Sequence, residues 1–318
     1  MDNFNARVVA RLGHAGSVFG LALPEYMSKH GGIKVVSADM SRPAGLDRFK
    51  NQYPNDFYNT GIAEQNMLGV AAGLASEGFV TVAEAQACFL SMRSFEQVRQ
   101  YMGYMQFPIV CVGINSGFSL TFFGNSHYAI EDMAIMRAIP NMTVLVPSDA
   151  GMAVALFDEA CYLHKPVYLR LAGGLNTPII YQEQPKVKVG GSIVLRDGID
   201  VALLATGSMV HNALQTAELL SQQGVEAKVV DMYSIKPIDK ERIESATKSK
   251  LIVTIEEHNI IGGLGGAVAE NIAESAYQTK LLRLGIADKY AQVGDYQYLL
   301  HQNRLTPEQI AEDILKNI

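Results

Sequence analysis

The sequence predicts an α/β protein of two domains, each with a mainly parallel sheet flanked by helices. Strand-like apolar runs alternate with helical patterns along the whole chain, which favours parallel strands joined by helices. Gly173-Gly174, Pro178 and Pro185 then interrupt the alternation, as in a linker. The length of 318 residues also favours two domains. We therefore expect a first domain over residues 1–172, a linker over 173–191 and a second domain over 192–318.

The first domain begins with an amphipathic stretch from Val8 to Leu23, interrupted by Arg11 and His14. Its pattern predicts a packed helix rather than a signal peptide. A β-branched run at Ile33–Ala38 predicts the first strand. The later strands are predicted at Val80–Ala83, Ile109–Ile114, Thr143–Val146 and Val167–Leu171. The later helices are predicted within Asn59–Gly78, after a short turn, and at Phe89–Met105 and Ile130–Ala138. A further helix is predicted to begin after Asp149, which caps it.

The second domain repeats the alternation on a smaller scale. Thr306, Pro307 and Gln309 predict the capped start of its last helix. Gly262-Gly-Leu-Gly-Gly266 suggests a dinucleotide site, but it lacks the full fingerprint, so we expect a structural turn and helix start. The predicted strands are Val201–Ala205, Ala227–Asp231, Leu251–Ile255 and Leu281–Leu284.

Charge and composition limit the possible partners and compartments. The net charge is −6 and no long basic run is present, so nucleic acid is not an expected partner. Cys88, Cys111 and Cys161 lie far apart among apolar residues, without metal-binding spacing, which is typical of buried reduced thiols in a cytoplasmic protein. No apolar run approaches the length of a membrane span. We expect a cytoplasmic protein without membrane contact.

The stretch Asn59–Gly78 contains one acid, Glu64, at the predicted helix start among small and apolar residues. Two interpretations are open. The helix macrodipole favours a carboxylate in the first turn of any helix. Alternatively, Glu64 is a carboxyl in a dry pocket that exchanges a proton with a ligand. Neighbouring motifs are needed to decide between them.

Several motifs in a fixed order supply that information. Gly61-Ile-Ala-Glu-Gln-Asn66, Phe89-Leu90 and Asn125-Ser-His-Tyr-Ala-Ile-Glu-Asp132 together resemble the pyrimidine-binding domain of transketolases. Ala134-Ile-Met-Arg-Ala-Ile-Pro-Asn-Met-Thr-Val-Leu-Val-Pro-Ser-Asp149 and Val201-Ala-Leu-Leu-Ala-Thr-Gly207 are similar to later parts of the same family. The resemblance covers essentially the whole chain. It matches the C-terminal half of a full transketolase, as in enzymes that are split into two subunits.

The resemblance implies thiamine diphosphate as cofactor. In the family, a Glu matching Glu64 hydrogen-bonds the aminopyrimidine ring, and proton exchange there activates the cofactor as an electron sink. Glu64 is therefore expected to be catalytic and cofactor-binding, while its helix-start position also suits an acid. Phe89 matches the aromatic residue that contacts the same ring. Met92 and Phe95 follow at helical spacing and are expected on one face with Phe89, as cofactor contacts or as core.

The resemblance also implies substrate-binding residues. His127 matches a His that hydrogen-bonds oxygens of the sugar or the intermediate, and Arg170 matches an Arg that binds the phosphate of the acceptor. A planar donor fork suits phosphate. Asp39 in Ser37-Ala-Asp-Met40 matches a family motif near the site and is expected to be structural. Ser41 and its neighbour Arg42 are further candidates to face substrate.

Phe123 is a departure from the family pattern. Many transketolases carry Gly-Glu-Asp-Gly just before the motif His, whereas this chain has Thr121-Phe-Phe-Gly124. Phe123 therefore occupies the position of an Asp that recognises a hydroxyl of the usual donor sugar. A phenyl ring cannot accept that hydrogen bond, and an unpaired hydroxyl is costly. We expect a donor other than xylulose 5-phosphate, such as a branched ketose phosphate, with apulose 4-phosphate as one candidate.

The family motif Gly-Asp-Gly followed by Asn, which holds Mg²⁺ and the diphosphate, is absent from the sequence. The resemblance therefore implies an N-terminal partner subunit that supplies this half of the site, in an α2β2-like assembly, and no metal ligand in this chain. A small-residue face at Gly69, Ala72, Gly73 and Ser76 would allow a partner helix to approach closely. The same face could equally pack internally.

Two rival functions remain open at this point. The β subunit of a 2-oxo acid dehydrogenase has similar length and architecture, and it also binds the aminopyrimidine through a Glu. The Ala-Glu-Gln-Asn and Ala-Ile-Glu-Asp phrases favour transketolase. A non-catalytic α/β regulatory subunit is the second rival.

Overall fold

A computed structural model describes residue 1, residues 4–276 and residues 279–318 of the chain. Within this part, helices flank a seven-stranded sheet and a five-stranded sheet, which confirms the predicted α/β class. The strands are β1 (Ile33–Ser37), β2 (Phe57–Asn59), β3 (Val80–Gln86), β4 (Ile109–Ser116), β5 (Thr143–Leu145), β6 (Val167–Ala172), β7 (Ile193–Arg196), β8 (Val201–Ala205), β9 (Ala227–Asp231), β10 (Ser234–Lys236), β11 (Leu251–Asn259) and β12 (Lys280–Ile286).

The helices connect these strands and cover both sheets. Short π-helical or 3₁₀ segments lie between some of them, at Val18–Ala22, Pro54–Asp56, Phe89–Arg93, Val98–Tyr104 and Thr121–Ser126. The α-helices are α1 (Ala6–Ser17), α2 (Leu23–His30), α3 (Ser41–Ala44), α4 (Asp47–Gln52), α5 (Glu64–Ser76), α6 (Phe95–Gln97), α7 (Asp132–Ala138), α8 (Ala150–Leu163), α9 (Met209–Ser221), α10 (Lys240–Ala246), α11 (Leu264–Glu274), α12 (Tyr296–Gln302) and α13 (Pro307–Leu315). None of the helices in the described ranges is long and apolar enough to cross a membrane.

The larger sheet has the order β10-β5-β6-β4-β3-β1-β2, and its strands pair in parallel except for β10. The smaller sheet has the order β12-β11-β8-β9-β7, with β7 antiparallel. The carboxyl ends of parallel strands meet at one edge, where α/β proteins bind their ligands. The loops after β1, β2, β3 and β4 are therefore the place to look for a site.

The two units are joined more closely than the predicted domains suggest. Strand β10 follows the second unit's β9, yet it pairs with β5 of the first sheet, Ser234 opposite Leu145. The sequence pattern did not predict β10, β2 or β7. Strands of three or four residues are too short to show a period, and β10 forms only because a distant strand edge accepts it.

The first helix differs from the continuous helix predicted over Val8–Leu23. It breaks at Gly13, which has a φ of 70°, continues as a π-helical turn and resumes as α2. A Cβ at Gly13 would lie 2.0 Å from the carbonyl oxygen of Gly174. The linker packs into this break, and the amide of Thr177 donates to the carbonyl of Ala10 at 2.9 Å. The prediction of one helix was wrong because a tertiary contact, absent from the helical pattern, requires this glycine.

Both predicted helix caps are present. The Asp149 side chain accepts a hydrogen bond from the amide of Met152 at 2.7 Å, and Thr306 accepts one from Gln309 at 3.5 Å. Asp149 also accepts from the linker amides of Ile180 and Tyr181, each at 2.9 Å. This one carboxylate therefore holds both the start of α8 and the linker in place.

The glycine-rich turn at Gly262–Gly266 has an internal partner. The buried Glu256 carboxylate accepts hydrogen bonds from the amides of Leu264 at 2.7 Å and Gly265 at 2.8 Å. Burial raises the pKa of Glu256 to about 7, although the hydrogen bonds from these two amides lower the pKa in part. A carboxylate at the start of α11 occupies the place of a phosphate in a dinucleotide site. The turn is structural, in agreement with the sequence interpretation.

Candidate active site

Helix α5 begins at Glu64, on the carboxyl edge of the larger sheet. The turn before it is fixed by Asn59, whose side-chain oxygen accepts from the amides of Asp39 at 3.1 Å and Gly61 at 3.0 Å. Asp39 in turn accepts from the Asn59 amide group at 3.0 Å, a structural role as expected. Glu64 is only 2% exposed. The sequence therefore places a carboxyl in a largely enclosed position at a helix start.

Arg93 is the partner of Glu64, and the sequence interpretation assigned it no role. Its Nη1 donates to both carboxylate oxygens, at 2.9 and 2.8 Å. Its guanidinium carbon also lies 4.0 Å from the centroid of the Phe89 ring. A cation over a ring face at this distance is attracted by the ring quadrupole. Arg93 thus contacts both Glu64 and Phe89, the two residues that are expected to bind the cofactor ring.

The segment that carries Phe89 and Arg93 is a π-helical turn, Phe89–Arg93, and it ends at Ser94 with non-helical angles of φ −107° and ψ 23°. Such turns are frequent at functional sites. Met92 is 44% exposed, whereas Phe95 packs against the hydrophobic core. Met92 and Phe95 therefore differ in exposure, and the wide turn and the break at Ser94 interrupt the regular helical spacing on which the predicted common face depends. Their roles as cofactor contacts stay predictions.

His127 lies between two aromatic rings. Its ring centroid is 5.1 Å from that of Phe89 and 4.8 Å from that of Phe123. The Ser126 hydroxyl is 2.9 Å from Nδ1 of His127, which orients the imidazole. Phe123 is 61% exposed at the tip of the 3₁₀ segment. A series of contacts therefore leads from Glu64 through Arg93 and Phe89 to His127 and Phe123.

The second unit holds the loop that carries His127. The Asn125 amide group donates to the carbonyl of Ala291 at 2.8 Å, and the Phe118 amide donates to the Glu257 carboxylate at 2.6 Å. Gly124 has a φ of 69°, and a Cβ there would lie 2.9 Å from a methyl group of Val293. The position of His127 therefore depends on residues from both units.

Arg170 does not lie where a phosphate-binding residue is expected. It is 4% exposed, and its Nε donates to Asp132 at 2.8 Å. Its Nη2 donates to the carbonyls of Ala129 at 2.9 Å and Glu257 at 3.1 Å. Tyr168 donates to the same Asp132 oxygen at 2.7 Å. The guanidinium is therefore enclosed, and its Nε and Nη2 donate inside the protein. The role in binding phosphate stays a prediction, and a phosphate could reach this group only if the surrounding contacts opened.

Ser41 begins the short helix α3, directly after the loop that follows β1. This places it at the same edge of the sheet, half-buried, while Arg42 beside it is exposed. Its role in binding substrate stays a prediction. Glu84 also lies near this edge, on β3, where it accepts from the Ser37 hydroxyl at 2.8 Å. Burial raises the pKa of Glu84 to about 8, and the hydrogen bond from Ser37 acts against this shift.

Comparison with known proteins identifies the family to which this chain belongs. Residues 14–176 match the transketolase pyrimidine binding domain, and residues 190–310 match the transketolase C-terminal domain. The chain belongs to the transketolase family. The 6-deoxy-6-sulfo-D-fructose transketolase subunit of Clostridium sp. is 37% identical over 291 residues, 91% of this chain and 89% of the relative. An apulose-4-phosphate transketolase subunit of Actinobacillus succinogenes is 37% identical over 279 residues, 87% of this chain and 89% of the relative.

Solved transketolase structures have the same fold. A structure described as a split gene transketolase, inactive beta4 tetramer, is 36% identical with a TM-score of 0.86, covering 96% of this chain and 97% of that one. A Pichia stipitis transketolase in complex with sedoheptulose 7-phosphate is 21% identical with a TM-score of 0.77, covering 96% of this chain and 45% of that one. At that identity the second similarity shows the fold alone. The chain is thus similar over nearly its full length to transketolase subunits encoded as separate chains.

Proposed function

We propose that this chain is one subunit of a thiamine diphosphate-dependent transketolase, which transfers a two-carbon ketol group between phosphorylated sugars. One observation carries the proposal: in a transketolase-family chain, a chain of contacts at one edge of the sheet runs from buried Glu64 through Arg93 and the Phe89 ring to His127. A buried acid beside an aromatic face fits an aminopyrimidine, because the ring needs a hydrogen-bond partner at its edge and a stacking surface. The residues present therefore fit half of the cofactor.

Each residue has a separate task in this proposal. When bound, thiamine diphosphate supplies the nucleophilic carbon and the electron sink. Glu64 holds a proton at N1′ of the aminopyrimidine, and Phe89 orients the ring by stacking. His127, at the base of the loop, hydrogen-bonds oxygens of the sugar and exchanges protons with them. Phe89 lies between the two polar groups and limits the access of water.

The other half of the cofactor site is proposed to come from an N-terminal partner subunit, which binds Mg²⁺ and the diphosphate. The small-residue face of α5 supports this arrangement. A Cβ at Gly69 or Gly73 would meet no described atom within 4 Å beyond its chain neighbours and the adjacent backbone of α5 itself. Ser76 is exposed, whereas Ala72 packs internally. Most of the face is therefore open to another chain. An α2β2 stoichiometry stays part of the proposal.

Mixing this chain with its partner subunit is expected to produce ketol transfer that requires thiamine diphosphate and Mg²⁺. Each subunit alone should be inactive, because neither holds the complete cofactor, and removal of Mg²⁺ with a chelator should abolish the activity. The assay follows two-carbon transfer from a ketose phosphate to an aldose phosphate. Decarboxylation of a 2-oxo acid by the mixture would instead identify a 2-oxo acid dehydrogenase subunit. Absence of cofactor binding by the mixture would support a regulatory subunit.

Phe123 supports a donor other than xylulose 5-phosphate. Its exposed ring packs against His127 in the proposed sugar site, and an apolar ring cannot accept a hydrogen bond from a sugar hydroxyl. Two relatives are named for apulose 4-phosphate and 6-deoxy-6-sulfo-D-fructose. We propose a branched ketose phosphate as donor, with apulose 4-phosphate as the first to be tested.

Phe123→Asp is expected to shift the donor preference of the assembled enzyme toward xylulose 5-phosphate. A site with a correctly placed acceptor discriminates strongly between sugars that differ by one hydroxyl. The ratio of kcat/KM for xylulose 5-phosphate to that for apulose 4-phosphate should rise by about tenfold or more. Phe122→Asp is the matched control, since its ring is exposed and adjacent in the sequence. Comparable use of both donors by the unaltered enzyme would contradict this assignment.

A further inference from the structure

Arg93 occupies the place that the proposed function gives to the aminopyrimidine. Nη1 of its planar guanidinium donates to both oxygens of Glu64, and the guanidinium carbon lies over the Phe89 ring, 4.0 Å from the ring centroid. An aminopyrimidine bound to the same two side chains would make the same two kinds of contact. The Arg93 side chain therefore makes the contacts that the proposed function gives to the cofactor ring.

The two groups exclude one another at this position. A separation of 4.0 Å leaves no room for a second planar group between the guanidinium and the Phe89 ring. Both Glu64 oxygens already accept from Nη1, so an incoming ring would find the carboxylate engaged by a cation. A pyrimidine can take this place only after the Arg93 side chain has moved.

We propose that Arg93 is a positioning residue that fills the pyrimidine place in the cofactor-free subunit and swings out when the cofactor enters. This inference rests on the proposed function. While the pocket is empty, the cation pairs with a buried carboxylate that would otherwise lie unpaired in an apolar setting. When the cofactor binds, its pyrimidine takes over that contact, and Arg93 turns toward solvent.

The surroundings of Arg93 suit such a movement. Its side chain is half-exposed, so the guanidinium can reach water without crossing the protein. The Gln65 side chain donates to the Arg93 carbonyl at 3.2 Å, which holds the backbone to α5 while the side chain turns. The long arginine side chain can therefore change rotamer without displacement of Phe89 on the same turn.

A side chain that fills the site competes with the cofactor. The apparent affinity for the cofactor equals the intrinsic affinity multiplied by the fraction of molecules in which Arg93 has left the site. An ion pair that is half open to solvent is modest in strength. We expect Arg93→Met, which keeps an apolar stem and removes the cation, to bind thiamine diphosphate about tenfold more tightly in the complex with the partner subunit. Arg93→Lys, which keeps the charge without the planar fork, should be intermediate.

The test measures the dissociation constant of thiamine diphosphate, with Mg²⁺ in excess, for the reconstituted complex and its variants. Arg99→Gln is the matched control, because Arg99 pairs with Glu96 at the exposed surface of the same segment. It should bind the cofactor as the unaltered complex does. Tighter binding by Arg93→Met, with Arg93→Lys between, would support the inference.

Equal or weaker binding by Arg93→Met would overturn it, since Arg93 would then be neutral or would contact the bound cofactor. If Arg93→Met does not assemble with the partner subunit, the dissociation constant measured for Arg93→Lys is judged by the same criterion. The unaltered complex separates this inference from the function on which it rests. A complex that binds no thiamine diphosphate defeats the proposed function and this inference together, whereas normal binding without tightening in the variants defeats only the role of Arg93.

Discussion

Replacement of Glu64 by Gln is expected to lower ketol transfer by the assembled enzyme about 10²- to 10⁴-fold, the usual contribution of a positioned acid–base group. Gln has nearly the same size and can still hydrogen-bond the pyrimidine, but it cannot exchange a proton. Because Glu64 is enclosed, water has little access to replace the carboxyl. The loss should appear in kcat, measured with saturating thiamine diphosphate and Mg²⁺.

Glu84→Gln is the matched control for this substitution. Glu84 is also a fully buried acid of the larger sheet, and it lies outside the Glu64–Arg93–Phe89 contact network. Because burial raises the pKa of Glu84 to about 8, this carboxyl is largely protonated at pH 7, and an amide resembles it closely. The control should therefore keep kcat within about twofold. A Glu64→Gln enzyme with unaltered kcat would remove the catalytic role that we assign to this acid.

The second large effect is expected at Asp132. Replacement of Asp132 by Ala should lower the free energy of unfolding of the isolated chain by about 3–5 kcal/mol, the usual cost when one partner of a buried ion pair is removed. Asp132 is fully buried and accepts from both Arg170 and Tyr168. Its loss leaves a cation uncompensated in the interior. Denaturant unfolding followed by circular dichroism measures the change.

Glu96→Ala provides the control for an ion pair at the surface. It removes the exposed partner of Arg99 and should leave the unfolding midpoint nearly unchanged. Arg170→Met then separates the two roles considered for Arg170. In the structure Arg170 is a buried structural residue, so the substitution should reduce stability. A stable Arg170→Met chain whose complex shows only a raised KM for phosphorylated substrates would restore the phosphate-binding role predicted from the sequence.

The fold was largely predictable from the sequence, because strands buried on both faces produce continuous apolar runs and the helices between them are long enough to show a period. Strand β10 could not be predicted, because three residues show no periodic pattern and their pairing partner, β5, lies about ninety positions away in the sequence. The break at Gly13 was hidden for a similar reason. Its cause is the carbonyl of Gly174, which only the folded chain brings near.

Site residues that lie in family motifs could be predicted from the sequence. Site residues whose positions depend on tertiary contacts could not. Glu64, Phe89 and His127 follow separate elements of the sheet, and the family resemblance implies a common site for them. In the structure, Arg93 links Glu64 to Phe89, and Phe89 packs against His127. Arg93 was missed because its partner lies on another helix and a π-helical turn changes the local spacing. The burial of Arg170 against Asp132 could not be predicted, because a strand-end arginine has the same sequence appearance whether it faces solvent or a buried acid.

We propose that this chain provides half of a cofactor site. The most direct measurement is a calorimetric titration of thiamine diphosphate, with excess Mg²⁺, into the chain alone, the partner subunit alone and an equimolar mixture. We expect saturable binding by the mixture and at least about a hundredfold weaker binding by either subunit alone, because each contributes contacts that the other lacks. Binding of equal affinity by this chain without its partner would contradict the claim.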